Sequence, residues 1–153
     1  MGAAVSIEEF EQGDVTELLA MWRESFEHGV GIRDPHPIEE QESFFWDTVV
    51  PDNAVFVARL EGRIVGFVAA TPETVSQLYV RVGYHRRGIG TRLLDWAKGR
   101  SNGSLWLSTF QRNTIARAFY ERHGFRIVAR GHEAFWDLDD LRYEWEARPE
   151  GTA

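Results

Sequence analysis

The sequence has no cysteine among its 153 residues. Disulfides, a thiolate zinc site and a covalent acyl-cysteine intermediate are thereby excluded together, so any acyl transfer by this chain is direct or uses another nucleophile. Positive charge is also short. Seventeen Lys and Arg against 24 Asp and Glu leave a formal net charge of -7, which gives no broad basic surface for a nucleic-acid backbone and favours cationic solutes such as protonated amines. No apolar run approaches the roughly 20 residues of a membrane span, and the first residues lack the basic and apolar segments of a secretory leader. The expectation is a cytoplasmic chain with neither membrane nor nucleic-acid partner. Gly-Lys-Ser and Gly-Lys-Thr are absent, so there is no P-loop.

Apolar material is plentiful. Hydrophobic residues make up 43% of the chain, with six Trp, ten Phe and four Tyr. Chains of this size bury roughly 70% of their unfolded surface, enough for one core. Residues 1–153 are therefore expected to form one domain, with frayed ends at 1–4 and 148–153. The many aromatics also leave room for a homodimer interface.

Periodicity orders the elements. Val5 to Phe10 alternates as a strand, and Asp14 opens a helix in which Asp14 and Glu17 make a capping-box-like pair, with Val15, Leu18, Leu19, Trp22 and Phe26 on one face. His28 to Pro37 reads as a loop, and a helix after Pro37 turns Ile38, Phe45 and Val49 inward. Ala54–Leu60 and Arg63–Ala70 flank Glu61-Gly62 as a hairpin. A strand from Val75 to Val82 leads to an amphipathic helix burying Ile89, Leu93, Leu94, Trp96 and Ala97. Ser104–Phe110 is a strand, Asn113 starts a helix that Gly124 closes, and strands at Phe125–Gly131 and Leu141–Ala147 finish the chain. The fold class is α/β, with a mixed, mostly antiparallel central sheet of about six to seven strands and about four helices.

The stretch LYVRVGYHRRGIGTRLLDW, Leu78 to Trp96, runs strand, basic turn, glycine pair, helix. Glycines at a helix mouth let backbone approach a ligand, and the first unpaired N–H groups with the helix dipole favour an anion there. Arg86, Arg87 and Arg92 add charge, so a phosphate or pyrophosphate is the expected guest. A dinucleotide fingerprint would need a third glycine at Leu93, and that reading fails. HRRGIG, His85 to Gly90, resembles motif A of the GNAT-type N-acetyltransferases, [QR]-x-x-G-x-[GA], with His85 where that pattern has Gln or Arg. NTIARAFYERHGF, Asn113 to Phe125, resembles motif B of the same superfamily, N-x-x-A-x-x-[FL]-Y-x-x-x-G-F. The resemblance covers the chain from Ala54 onward.

The resemblance implies a GNAT-like acyltransferase fold with acetyl-CoA as cosubstrate and no metal. Leu78, Tyr79, Val80, His85, Arg86, Arg87, Gly88, Ile89, Gly90, Thr91, Asn113 and Tyr120 would bind the coenzyme. The Val80 backbone N–H would meet the thioester oxygen, and Tyr120 would act as general acid toward the leaving thiolate. Plainer readings stand beside these. Asn113 is a good helix N-cap, worth about 1 kcal/mol, Tyr120 an ordinary core aromatic, Arg86 and Arg87 solvated loop charges, and Gly88 and Gly90 tight-turn residues.

An amine of lysine type has a pKa of about 10.4 and needs a base at neutral pH. Some family members carry a glutamate at the position of Thr74, others at that of Ser108, and this chain has neither. Glu73 through a water, His132 and Glu133 remain as candidates, and some relatives accept an already neutral amine. The acceptor, a primary amine of a small molecule or protein, is expected between His28–Pro37 and the hairpin Gly131–Leu141, near His36, Phe135 and Trp136. Two other classes stay open: a catalytically inactive acyl-CoA-binding sensor or partner module, and a different nucleotide-phosphate binder.

Overall fold

The computed structural model describes residues 4–148; of the ends expected to fray, 1–3 and 149–153 lie outside the described residues. Among the described residues there are seven strands: β1 Ser6–Glu9, β2 Ala54–Leu60, β3 Arg63–Ala70, β4 Val75–Val80, β5 Ser104–Phe110, β6 Arg126–Glu133 and β7 Leu138–Glu146. The helices are α1 Val15–Val30, α2 Ile38–Phe44, the short α3 Val50–Asp52, α4 Ile89–Gly99 and α5 Thr114–Arg122. A π-helical turn, Phe45–Val49, joins α2 to α3.

The fold is mixed α/β as expected, but its sheet comes in two halves. Strands pair antiparallel in the orders β1-β2-β3-β4 and β5-β7-β6. A parallel bridge between Thr74 and Trp106 links the halves, and Trp106 N donates to Glu73 O at 3.0 Å beside it. No further ladder joins β4 to β5 among the described residues, so past the bridge the two strands part and leave a gap.

β3 is buried from Ile64 to Ala70 because helices cover both of its faces, which explains its continuous apolar run. Ile64, Phe67 and Ala69 pack with α1 residues such as Leu18 and Met21. Val65, Val68 and Ala70 pack with Leu93 and Leu94 of α4. The register slips between Ala58 and Arg59, whose partners are Gly66 and Ile64, so Val65 is an extra bulged residue. The groups this frees are satisfied from elsewhere: Ile64 N donates to Glu17 Oε2 at 3.0 Å, and Arg81 Nε donates to Ile64 O at 2.7 Å. A Cβ on Gly66 would lie 2.9 Å from both Leu93 Cδ1 and Tyr79 O, and its absence sets how closely α4 approaches the sheet.

Several boundaries differ from the sequence reading, each for a local reason. α1 continues through Gly29 to Val30 and stops at Gly31, which is left-handed with φ 78°; at Gly29, inside the helix, Asn113 occupies the space of the missing side chain. Asp14 caps the turn before α1, accepting from Glu11 N at 2.9 Å, while Glu17 serves the β3 bulge, so the expected Asp14–Glu17 pair does not form. Ile38 is 39% exposed where an inward position was expected, and Phe45 and Val49 carry the burial. Trp96 is only partly buried and lies on Phe56 at 4.4 Å. β4 ends at Val80, and β6 and β7 extend toward each other, pairing Glu133 with Leu138. The expected acceptor hairpin thereby shrinks to a tight turn in which Asp137 takes φ 54°.

Candidate active site

Arg81 N donates to Val65 O at 2.8 Å. Bonded pairs alternate along an antiparallel ladder, and the register pairs Phe67 with Tyr79 and Gly66 with Val80. The peptide groups of Tyr79 therefore turn toward β3, and those of Leu78 and Val80 toward the open edge. Of these, the Val80 carbonyl accepts from Ser25 Oγ of α1 at 2.8 Å, which fixes the edge where the Val80 N–H faces the gap.

The loop after β4 bends through left-handed residues at Gly83, Arg86 and Gly88, with φ of 92°, 65° and 79°. Gly88 is the N-cap of α4 and carries no side-chain cap. Arg92 N closes the first turn on Gly88 O at 3.0 Å, so the N–H groups of Gly88, Ile89, Gly90 and Thr91 are the four a helix start leaves unpaired. No atom lies within 4 Å of a Cβ placed on Gly83 or Gly88, so the cradle is open. Gly90 has a different constraint: its Cβ would meet Phe119 Cε1 at 3.1 Å. Ile89 is core, 1% exposed. Arg86 and Arg87 are exposed, with the Arg87 guanidinium 4.9 Å over the Tyr84 ring. His85 lies parallel to His28 of α1 at 6.0 Å; burial, and then the His28 charge, hold its pKa below the ordinary histidine value.

α5 supplies the other wall. Asn113 Oδ1 accepts from Ala116 N at 3.1 Å as an N-cap, and Asn113 also lines the main cavity. Thr91 and His123 form a link that the sequence reading missed. His123 Nδ1 lies 2.7 Å from Phe119 O, which must accept its proton, so Nε2 accepts from Thr91 Oγ1 at 2.9 Å. The Thr91 hydroxyl is thus spent on joining α4 to α5. Tyr120 is 7% exposed, and burial, followed by the neighbouring Tyr79, raises its pKa well above the usual phenol value. Burial likewise pushes Tyr79 up to about 12. Both phenols stay protonated at physiological pH.

A cavity of about 600 Å³ opens where the half-sheets part. Leu78, Tyr79, Asn113 and Tyr120 line it, together with Trp22, Phe26, Phe110, His36, Phe135 and Trp136. The three expected acceptor residues are thus brought together: the His36 ring stacks on Phe135 at 4.4 Å and meets Trp136 edge-on at 4.7 Å. Asp34, Glu40, Glu133 and Asp140 give the lining an acidic character against the single cation Arg23. Glu73 is exposed in the turn before β4 and is not among the lining residues. His132 is exposed on β6, between Asp139 at 2.9 Å and Asp137 at 2.8 Å, also off this cavity. Glu133 lines it, but its carboxylate accepts from Phe135 N and Trp136 N at 3.0 and 2.7 Å. Ser108 lines it, and the Thr74 hydroxyl is paired with that of Thr71 at 2.8 Å.

Residues 15–125 match the acetyltransferase (GNAT) family. The chain belongs to that family. GNAT enzymes use acetyl-CoA, and the open β4 edge and the glycine cradle fit a coenzyme with a pantetheine arm and a pyrophosphate. Among similar proteins is the peptidyl-lysine N-acetyltransferase YiaC of Escherichia coli strain K12, 28% identical over 131 residues, covering 80% of this chain and 84% of that protein. The solution structure of apo YjaB from Escherichia coli superposes with a TM-score of 0.78 at 20% identity, covering 95% of this chain and 99% of that one. The PaiA N-acetyltransferase of Thermoplasma acidophilum, solved in complex with coenzyme A, gives 0.73 at 19% identity over 94% and 99%. At these identities the two structures speak to the GNAT fold alone. Among the described residues, no helix is long and apolar enough to cross a membrane.

Proposed function

We propose that the protein transfers the acetyl group of acetyl-CoA to a primary amine, on a small molecule or a protein, by direct attack in a ternary complex. The observation that carries this is the succession of the α4 cradle, the outward peptide groups of Leu78 and Val80 on the strand before it, and a cavity lined by Leu78, Tyr120, aromatics and carboxylates. When bound, acetyl-CoA supplies a thioester whose carbonyl carbon accepts the amine nitrogen. The amides of Gly88 to Thr91, with Arg86 and Arg87 nearby, hold the pyrophosphate. The edge groups of Leu78 and Val80 pair with the pantetheine arm as an added strand would. The Val80 N–H donates to the carbonyl oxygen as negative charge develops there. Tyr120, kept protonated by burial, offers its O–H to the leaving sulfur.

The aromatic and acidic lining suits a cationic alkylamine, whose ammonium is attracted by ring faces and carboxylates. Similarity to a peptidyl-lysine acetyltransferase supports a lysine side chain as one such acceptor. Exposed Phe44 and Phe135, 46% and 63% accessible, give the cavity an apolar rim suited to a peptide. The test is a thiol-release screen with acetyl-CoA against small alkylamines, polyamines and lysyl peptides. Amine-dependent release is expected, and acetyl-CoA binding with no release across all of these classes would overturn the reading in favour of a non-catalytic module.

A further inference from the structure

The segment Asp34-Pro35-His36-Pro37 between α1 and α2 is held more tightly than its place in a connection requires. Arg23 of α1 donates to Asp34 O at 2.9 Å and also to His36 O. Glu27 accepts from Asp34 N at 2.7 Å. The Asp34 side chain is only 9% exposed, and Oδ1 takes two hydrogen bonds from His36, one from its backbone N and one from ring Nδ1, both at 2.9 Å. A carboxylate only accepts, so Nδ1 carries the proton, and Nε2 is left with a free lone pair. Phe135 lies flat on the ring and Trp136 stands edge-on to it, which leaves the imidazole one orientation in the wall of the acceptor cavity.

Building on the acetyl-transfer reading above, we propose that His36, held by Asp34, is the base that takes the proton from the acceptor ammonium. An N–H bond of the ammonium breaks and its proton passes to His36 Nε2, directly or through one water. The freed electron pair forms the C–N bond while the thioester C–S bond breaks. Tyr120 gives its proton to the departing thiolate and regains one from the acylated nitrogen, which still carries a surplus proton. His36 returns its own to solvent. The products are amide, free thiol and one released proton. In this scheme Asp34 is a positioning residue: it sets the tautomer and stabilises the imidazolium once formed.

Three other carboxylates are less suited to the role. Glu133 is committed to two backbone amides, Glu40 is exposed, and Glu73 is outside the lining. Arg23 on α1, Asp34 in the connection, Glu40 on α2, Tyr79 on β4, Tyr120 on α5, Glu133 on β6 and Asp140 on β7 are the titratable and charged groups that line the cavity with His36.

The test is the pH dependence of kcat and kcat/KM for the wild type, His36→Gln, His36→Ala and Asp34→Asn, by thiol release with the best amine of the acceptor screen. Acetyl-CoA affinity is followed separately by calorimetry. His36→Gln is expected to lower kcat roughly 10²- to 10⁴-fold at neutral pH with acetyl-CoA affinity unchanged. The deficit should shrink as pH approaches the pKa of the acceptor amine, and added imidazole should restore part of the rate to His36→Ala. Asp34→Asn should lower kcat with the acid limb displaced. Nitrogen NMR of the wild-type ring, independent of any variant's folding, should find Nε2 unprotonated and Nδ1 protonated. Wild-type turnover with His36→Gln within threefold of it, a deficit equal at every pH, or the opposite tautomer would overturn the assignment while leaving acetyl transfer standing. No amine-dependent release by the wild type would remove both.

Discussion

Ser25 Oγ donates to the carbonyl oxygen of Val80 at 2.8 Å, tying α1 to the open edge of β4. Among the described residues, Ser25 is the one buried polar residue of the core, 7% exposed. Removing its hydroxyl leaves the carbonyl unpaired next to the N–H that we propose polarises the thioester. Ser25→Ala is expected to destabilise by about 1–3 kcal/mol, read by urea unfolding. It should also lower kcat more than acetyl-CoA affinity, because the edge loses its fixed position. Unchanged stability would show that water replaces the bond.

Tyr120 sits where a phenol should matter to chemistry and little to binding. Tyr120→Phe keeps the ring packing on Phe119 and Phe125 and should cut turnover by roughly 10²-fold with acetyl-CoA affinity nearly unchanged. Because burial raises its pKa, the wild-type pH profile should show no descending limb from this phenol at or below the ordinary value of about 10. Equal rates for Tyr120→Phe and wild type at neutral pH would remove the proton-donor role.

Gly88 and Gly90 stand two residues apart and should fail differently. At Gly88 space is open and the backbone is left-handed, φ 79°, so Gly88→Ala costs about 1–2 kcal/mol of strain and distorts the cradle. At Gly90 a Cβ meets the Phe119 ring at 3.1 Å. Gly90→Ala should therefore shift α5 slightly, and Gly90→Glu should abolish acetyl-CoA binding by bulk and charge. Calorimetry on the three variants separates these outcomes.

Gly29 and Asn113 form a coupled pair. A Cβ on Gly29 would lie 2.8 Å from Asn113 Nδ2, and Asn113 cannot yield without losing its bond to Ala116 N. Gly29→Ala should forfeit the cap, about 1 kcal/mol, less what alanine returns in helix propensity. In Asn113→Ala, where the cap is already gone, the same change should stabilise. Additive effects in the double mutant would refute the coupling.

His132 gives the β6–β7 hairpin a pH signature. Its hydrogen bonds to Asp139 and then Asp137 raise its pKa above the ordinary histidine value. The stabilisation is therefore fully present below about pH 6.5 and is lost as pH rises through the raised value. The difference in Tm between wild type and His132→Gln should favour wild type in acid and vanish in alkali. A difference that persists in alkali would mean packing, not charge.

The glycine turn at the start of α4 and the α5 helix were legible in the sequence because each is local: glycines, a cap and a helical face within one short stretch. What the sequence hid was long-range. Glu17 reads as a capping residue until β3 is seen to bulge and need a carboxylate. The Thr91 hydroxyl reads as free until His123 is brought against it. Asp34 was passed over, although Asp-Pro-His-Pro places an acceptor two residues before an imidazole in a stiffened segment. The sheet reads as one, because only tertiary geometry decides that β4 and β5 meet at a single point.

That single point, Thr74 on Trp106, has a thermodynamic consequence. With so little backbone shared across the middle, the two half-sheets are joined mainly by side chains, Val68 and Val75 of one packing in a single core with Leu105 and Leu141 of the other, and whatever slides between the strands adds backbone contacts to that seam as a keystone would. Until then the unzipped seam also offers an invitation to foreign strands, so purified protein should be least prone to clump when its coenzyme is kept in the buffer.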